Sequence, residues 1–383
     1  MPFAPPPTPT DDVDADRLEG YDYPLPPEAI ATQPAEQRDQ ARLLVTGPGG
    51  EVEHRRICDL PSLLRSGDRL VFNRTHVAAA RLEGVRIRTG GRWAGLVLEY
   101  SNAEGLALAK TRGTPKRGEL IELQNGTATA TVRLRSRRED GRWEIEPETG
   151  GFSDMLRRVG LPPLPPYILK ARRDRGEPLG REDDATRYQT VFADASGETS
   201  PASIAAPTAG LHFTAALLDD LQSVGVGCSF VSLAVGEGTF RPVEVQHLDE
   251  HRMHEEWACL PDETATELNA TQAAGGRVIA VGTTTLRTLE AAAHHGRDGW
   301  TGRTNLFIRP GYTFRRADGL LTNFHLPKST LLMLVAAMLG RRRMLSTYDA
   351  ALRAGYRFFS YGDAMLILPS DQAATPAAGK SDH

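Results

Sequence analysis

Hydrophobic and polar positions fall into two textures along this chain. Between residues 84 and 147 they alternate with period two, as in Val85-Arg86-Ile87-Arg88 and Thr127-Ala128-Thr129-Ala130-Thr131-Val132-Arg133-Leu134-Arg135. That period puts apolar side chains on one face of a strand and polar ones on the other. Turn signals punctuate the stretch at Gly90-Gly91, Asn102 to Gly105, Pro115 to Gly118, Asn125-Gly126 and Asp140-Gly141. Asn-Gly and Asp-Gly favour tight hairpins, whose central residues need positive φ. About six short strands at roughly ten-residue spacing predict a small barrel or sandwich.

Beyond about residue 200 the pattern becomes that of alternating helices and strands. Helical stretches over Thr214 to Val224 and Asp262 to Ala274 alternate with strand-like runs over Cys228 to Leu233 and Arg277 to Val281. Earlier runs, Leu43-Leu44-Val45 and Arg69-Leu70-Val71-Phe72, have the same strand character. The chain therefore reads as a discontinuous α/β domain, in two parts at 21–80 and 151–369, with a small all-β barrel inserted at 81–150. The proline-dense stretch Leu161 to Tyr167 returns the chain from barrel to sheet. Residues 1–20 and 370–383 lack an apolar core and read as disordered tails.

Composition adds limits. A chain of 383 residues with 40% hydrophobic and 25% charged residues is that of an ordinary soluble protein. Three widely spaced cysteines, Cys58, Cys228 and Cys259, argue against a disulfide framework or thiolate metal site and fit a reducing cytoplasm. The longest apolar stretch, Leu331 to Leu339, is too short to span a bilayer. A net charge of −4 gives no global support to nucleic-acid binding. Local groups differ: Arg133, Arg135, Arg137 and Arg138; Lys170, Arg172, Arg173 and Arg175; and Arg341 to Arg343 could meet phosphates or be solvated faces.

Candidate chemistry concentrates in the α/β part. Thr322-Asn323-Phe324-His325-Leu326-Pro327-Lys328-Ser329-Thr330 runs directly into an apolar helix. Pro327 suits a first helical turn, Ser329 or Thr330 can cap it, and Gly340 is a stop. Such a mouth can meet a polar substrate, and it reads equally well as a capped core helix. Three other segments combine Gly, Thr, His or Arg with apolar residues: Ala206 to Phe213, Val235 to Pro242 and Val281 to Glu290. Several follow strand-like runs, and strand ends are where open α/β sheets bind ligands, so the four loops suggest one shared site. In His251-Arg252-Met253-His254-Glu255-Glu256, the two histidines would share a helix face. No His-Glu-x-x-His is present, so His254 and Glu256 fit proton transfer better than metal binding, with a solvated helix start as the alternative. Arg287 and Glu290, three apart, either pair or face the site. Tyr356 to Met365 could stack and bond a base, or form a buried terminal strand.

These segments together resemble the S-adenosylmethionine:tRNA ribosyltransferase-isomerase family of queuosine biosynthesis. The blocks that carry the resemblance are Ala206-Pro207-Thr208-Ala209-Gly210-Leu211-His212-Phe213, Gly238-Thr239-Phe240-Arg241-Pro242-Val243, Met253-His254-Glu255-Glu256, Val281-Gly282-Thr283-Thr284, Thr322 to Thr330 and Tyr356 to Met365. Pro163 to Ile168 and Tyr188-Gln189-Thr190-Val191 match as well. The resemblance implies an α/β domain carrying an inserted barrel. It implies S-adenosylmethionine as ribosyl donor and co-substrate, with no further cofactor and no metal. The acceptor would be the aminomethyl group of a 7-deazaguanine at the wobble position of a tRNA anticodon stem-loop. The product would be epoxyqueuosine, with adenine and methionine released by a cytoplasmic monomer.

On this resemblance His212, His254, Glu256 and His325 are expected to carry the proton transfers. Substrate contacts are expected from Asn73, Thr75, Arg81, Thr208, Gly210, Gly236, Gly238, Thr239, Phe240, Gly282, Thr283, Thr284, Arg287, Asn323, Ser329, Thr330, Arg357, Ser360, Tyr361 and Asp363. The chain departs from the family pattern at Arg74, His76, Ala94 and Ala234. His76 replaces an arginine and so loses a permanent charge. Those departures bear on the acceptor, which leaves two other readings: a relative acting on a free deazapurine nucleoside, and an inactive RNA-binding module.

Overall fold

A computed structural model describes residues 14–47, 51–196, 203–236 and 243–369. In chain order the strands are β1 (Arg42–Thr46), β2 (Val52–Arg56), β3 (Arg69–Asn73), β4 (Arg81–Arg86), β5 (Arg92–Tyr100), β6 (Gly105–Thr111), β7 (Leu120–Asn125) and β8 (Ala128–Arg137). They continue with β9 (Trp143–Pro147), β10 (Gly227–Leu233), β11 (Glu256–Leu260), β12 (Val278–Val281), β13 (Trp300–Thr304), β14 (Gly319–Asn323) and β15 (Ala364–Ile367). The helices are α1 (Leu60–Leu63), α2 (Phe152–Val159), α3 (Pro166–Asp174), α4 (Asp184–Arg187), α5 (Ala215–Ser223), α6 (Asp262–Ala273), α7 (Thr283–Ala293), α8 (Thr330–Leu339) and α9 (Arg341–Arg353).

Nine strands form one sheet in the order β13-β11-β10-β3-β12-β14-β15-β1-β2. Its centre, β10-β3-β12-β14, is parallel. Parallel strands are covered on both faces and so lose the alternating pattern; every residue of β12 and β14 is buried. Alternate side chains still sort to opposite layers. Val71, Val278, Ala280 and Leu320 join α7 and α8 in one core, while Leu70, Phe72, Ile279 and Val281 join α5 in the other. The outer strand β2 is exposed and charged along Glu53-His54-Arg55-Arg56, which discourages edge-to-edge association.

Strands β4 to β9 close into a six-stranded antiparallel barrel, ordered β4-β5-β6-β9-β8-β7. Trp93, Val97, Ile121, Leu123, Val132, Leu134 and Ile145 fill it, and Phe152 and Leu156 of α2 pack against the same core. Gly95 has no alternative here, since a Cβ would lie 2.3 Å from the Trp93 ring. The expected α/β domain with an inserted β-barrel is thus the observed architecture.

Some expectations need correction. The loose segment expected to residue 20 ends earlier: Leu18 donates its N–H to the Gln246 carbonyl at 3.0 Å, and Gly20 and Tyr21 are buried. Residues 1–13 and 370–383 lie outside the described residues. Pro327 precedes the helix, which starts at Thr330 with Ser329 as its cap, the Ser329 hydroxyl accepting from Leu332 N–H at 3.2 Å. Gly340 does end α8, with φ +84, a conformation glycine adopts freely. The arginines of β8 and the turn after it face carboxylates on and just beyond β9: Arg133 pairs with Glu148, Arg135 with Glu146 and Arg138 with Glu144. Arg172 is fully buried and donates to both oxygens of Asp184 at 2.7 and 2.8 Å. Arg172 is thus committed inside the protein, while Arg133, Arg135 and Arg138 stay partly exposed beside their carboxylates.

Candidate active site at the carboxyl edge of the sheet

The central parallel strands all end on one edge of the sheet, where three groups of contacts hold many of the sequence-predicted residues. Asn73 closes β3. Its Oδ1 accepts the N–H of Thr75 and of Leu233, both at 3.1 Å, and its Nδ2 donates to the Leu233 carbonyl at 3.1 Å and to Thr284 Oγ1 at 3.3 Å. Thr284 lies in the first turn of α7, behind Gly282. Gly282 holds φ +94, which lets the chain turn from β12 into the helix without the penalty a side chain would bring. Thr75 and Thr283 are buried beside this junction.

On the same helix Arg287 reaches Glu256, the first residue of β11, and both are buried. The other Glu256 oxygen accepts Gly236 N–H at 3.3 Å. Arg287 Nε donates to the Leu306 carbonyl at 3.2 Å, while its Nη2 has no hydrogen-bond partner among the described residues. Arg287 and Glu290 do not pair: Glu290 accepts the N–H groups of Arg315, Arg316 and Ala317 at 2.9 to 3.1 Å. His254 is exposed on the extended segment leading into β11. The helix expected to align His251 and His254 is absent, because their stretch follows a short 3-10 turn and then extends.

The third group surrounds Asn323, the last residue of β14. Its Nδ2 faces the carbonyls of Phe359 (3.1 Å) and Asp363 (3.4 Å), which fixes that atom as the nitrogen. The same Nδ2 lies 3.1 Å from His212 Nε2, so His212 accepts there and carries its proton on Nδ1. Burial, with Arg357 and Arg38 nearby, pushes the His212 imidazole down to about 3, so it is neutral at physiological pH. Thr208–His212 form a 3-10 turn; Gly210 is forced by Phe192 and Thr190, whose side chains would lie 2.8 and 3.0 Å from a Cβ. His325 Nε2 is 2.9 Å from Thr322 Oγ1, and burial lowers this imidazole to about 3 as well. Its backbone is clamped by Tyr348, whose hydroxyl accepts the His325 N–H at 3.1 Å, and by Tyr23, whose hydroxyl donates to the His325 carbonyl. Among the described residues only Lys328 and Phe359 combine a side chain with positive φ (56° and 71°), and both flank this group.

Other predicted residues make contacts within the fold. Asp363 accepts the N–H groups of Arg42 (3.1 Å) and Arg357 (2.8 Å). Ser360 bonds Tyr167, Tyr361 packs edge-on against Tyr188, and Ser329 caps α8, with Thr330 its first residue. Arg81 pairs with Glu83 at the base of the barrel. Gly238, Thr239 and Phe240 lie outside the described residues. Tyr23, Tyr348 and Arg38 were missed; Tyr23 sits 302 positions from its partner, a pairing without a signal along the sequence. No cluster of His, Cys, Asp or Glu among the described residues has the arrangement of a metal site.

Neutral imidazoles, a buried carboxylate, hydroxyls and amides at the strand ends make a candidate polar site, and the fold is that of an α/β protein with an appended barrel, the class in which such edges bind ligands. The sequence pattern of a family described as queuosine biosynthesis protein matches residues 18–367. A relative from Azoarcus sp. (strain BH72), named S-adenosylmethionine:tRNA ribosyltransferase-isomerase, is 47% identical over 358 residues, which is 93% of this chain and 99% of that one. A relative of the same name from Moorella thermoacetica (strain ATCC 39073 / JCM 9320) is 45% identical over 367 residues, covering 92% and 100%. The crystal structure of S-adenosylmethionine tRNA ribosyltransferase from Thermotoga maritima is similar with a TM-score of 0.51 and 32% identity, covering 91% of this chain and 100% of that one. The chain belongs to the queuosine biosynthesis protein family of enzymes. No helix among the described residues is long and apolar enough to cross a membrane.

Proposed function

We propose that this enzyme transfers and isomerises the ribosyl group of S-adenosylmethionine onto the aminomethyl group of 7-aminomethyl-7-deazaguanine at the wobble position of tRNA, giving epoxyqueuosine, adenine and methionine. The supporting observation is the joining of His212–Asn323, Asn73–Thr284 and Glu256–Arg287 along one sheet edge, with His325 beside them. The names of the relatives supply donor and acceptor.

The chemistry asks for a base, an acid and neutral orienting groups. A base removes the proton next to the sulfonium, whose positive charge stabilises the carbanion. The ribose opens at its C4′–O bond and adenine leaves with a proton, giving an aldehyde and a vinyl sulfonium; the amine adds to the vinyl group, the resulting ylide carbon closes the ring onto the aldehyde, and the alkoxide so formed displaces methionine to give the epoxide. Glu256 is the ionisable group best placed for a proton-transfer role, with His254 two residues away; His325, lowered as far as His212, is suited to orienting rather than accepting a proton. His212, neutral with its proton on Nδ1, is suited to orient a base or ribose hydroxyl and is a poor proton acceptor, given its lowered value. Asn73, Thr283, Thr284 and Asn323 sit where they can hold the ribose.

The test incubates pure protein with S-adenosylmethionine and tRNA carrying the aminomethyl-deazaguanine, then digests the RNA for mass spectrometry. Epoxyqueuosine with free adenine is the expected result. Adenine release only with a free deazapurine nucleoside would move the activity to a small acceptor. No adenine release with any acceptor would leave an RNA-binding module.

A further inference from the structure

The barrel carries charge opposite to that of the whole chain. Between residues 81 and 147 there are 13 Lys and Arg against 9 Asp and Glu, a net of +4 in a chain of −4. On β8 and the turn after it Arg133, Arg135 and Arg138 are each paired with a carboxylate across the strand pair, as described above. At one end of the barrel they are not. The β4–β5 turn and the β6–β7 loop bring Arg88, Arg92, Arg112, Lys116 and Arg117 to this end, all exposed. Arg92, Arg112, Lys116 and Arg117 make no ion pair among the described residues, and Arg88 reaches a carboxylate only at 3.8 Å.

A buried joint fixes this end. Arg86 donates to both oxygens of Glu119 at 2.8 and 2.9 Å, to the Arg112 carbonyl at 2.8 Å and to the Thr114 carbonyl at 3.4 Å. Glu119 also accepts Lys116 N–H at 2.9 Å. The only carboxylate in either segment is thereby consumed beneath the surface. The two loops above it form a preorganised cationic face, with Ile87 exposed at 54% beside it.

This end lies away from the sheet. Strand β4 leaves the sheet side at Arg81 and reaches the turn after Arg86; six residues at about 3.3 Å each place the basic face ~20 Å beyond the base of the barrel. A substrate the size of a nucleoside could not bridge that distance, whereas a nucleic-acid backbone with a phosphate every several ångströms could.

We propose that the barrel end formed by Arg88, Arg92, Arg112, Lys116 and Arg117 is a docking surface for the phosphate backbone of RNA, holding the tRNA away from the reacting nucleotide. The proposal rests on the tRNA reading above. It requires contact with phosphates without base readout, so it contributes affinity and salt dependence rather than sequence choice.

The experiment compares wild-type enzyme with a variant carrying serine at all five positions, and with a control carrying Arg133→Ser, Arg135→Ser and Arg138→Ser. Binding of an unmodified tRNA transcript is measured from 50 to 300 mM salt, alongside product formation. The five-serine variant is expected to bind roughly 10²-fold more weakly, with its salt slope reduced by about 0.9 for each phosphate no longer neutralised, at unchanged kcat with saturating tRNA. The control is expected to bind like wild type. Arg112→Ser with Arg117→Ser serves if the larger variant does not fold, with a proportionate weakening expected. Equal binding and slope in wild type and variant would overturn the surface while leaving the activity standing. A wild type that modifies only a free nucleoside and does not bind tRNA would overturn both.

Discussion

Two buried arginine–carboxylate pairs, one in the barrel and one at the sheet edge, use the same chemistry for different ends. Arg86–Glu119 is saturated: its guanidinium serves two carboxylate oxygens and two carbonyls, and the carboxylate takes a backbone N–H as well. The hydrogen bonds hold Glu119 below the usual carboxylate range and raise Arg86. Arg287–Glu256 is not saturated, since Arg287 Nη2 has no hydrogen-bond partner among the described residues. A buried ion pair costs desolvation, which only complete hydrogen bonding offsets. The complete pair therefore acts as a joint, and the incomplete one keeps a donor in hand beside a carboxylate at the candidate site.

The contrast can be broken or sharpened by measurement. Glu256→Gln is expected to lower kcat by about 10³-fold; a folded variant within threefold of wild type would reduce Glu256 to a second joint. Arg86→Met, which leaves Glu119 buried and unpaired, is expected to destabilise the protein by about 3 kcal/mol, read by chemical denaturation, with kcat preserved where the protein is folded. A loss below about 1 kcal/mol would remove the distinction between anchor and ornament.

The two regions should also separate on the pH axis. His212 has a folded value of about 3 against an ordinary 6.5, so the unfolded chain binds the proton first as pH falls. Its share of stability is complete above pH 6.5 and is lost as pH falls toward 3, amounting to about 2 kcal/mol by pH 5. His212→Gln should flatten the decline of Tm between pH 7 and 5. Glu119 has a depressed folded value, so its contribution persists through that window and is lost only as pH falls below the ordinary carboxylate range. The smallest effect is expected from Arg287→Lys, which keeps the charge and loses the fork: about a tenfold drop in kcat/KM, whereas a drop beyond about 10²-fold would place Arg287 against the reacting atoms.

The barrel was legible because period two and Asn-Gly and Asp-Gly turns are local signals, and the α/β part because helices and strands alternate in blocks. The site was legible as motifs and not as contacts. His212 and Asn323 were both identified, yet they meet across 111 positions. Glu256 was identified for the wrong local structure, since the histidines before it suggested a helix where the chain extends. The arginines at 133–138 left a phosphate site and a solvated face both open because strand register is not legible along the sequence; the opposing Glu144, Glu146 and Glu148 arrive only through pairing with β9. The loop at 112–118 read as a mere turn for the converse reason: its one acid, Glu119 at its border, is removed by Arg86 from 33 positions away.

Strand β15 sits between β14 and β1, pairing antiparallel with the first and parallel with the second. Among the described residues it is the last strand in chain order and the only strand that bridges the β1–β2 hairpin to the rest of the sheet. A nascent chain thus carries every candidate catalytic group before its sheet can be completed. A chain ending just ahead of Ala364 would still carry those groups, yet its β1–β2 hairpin would have no strand to pair with in the sheet and would lean on the side-chain packing of Leu43 and Leu44.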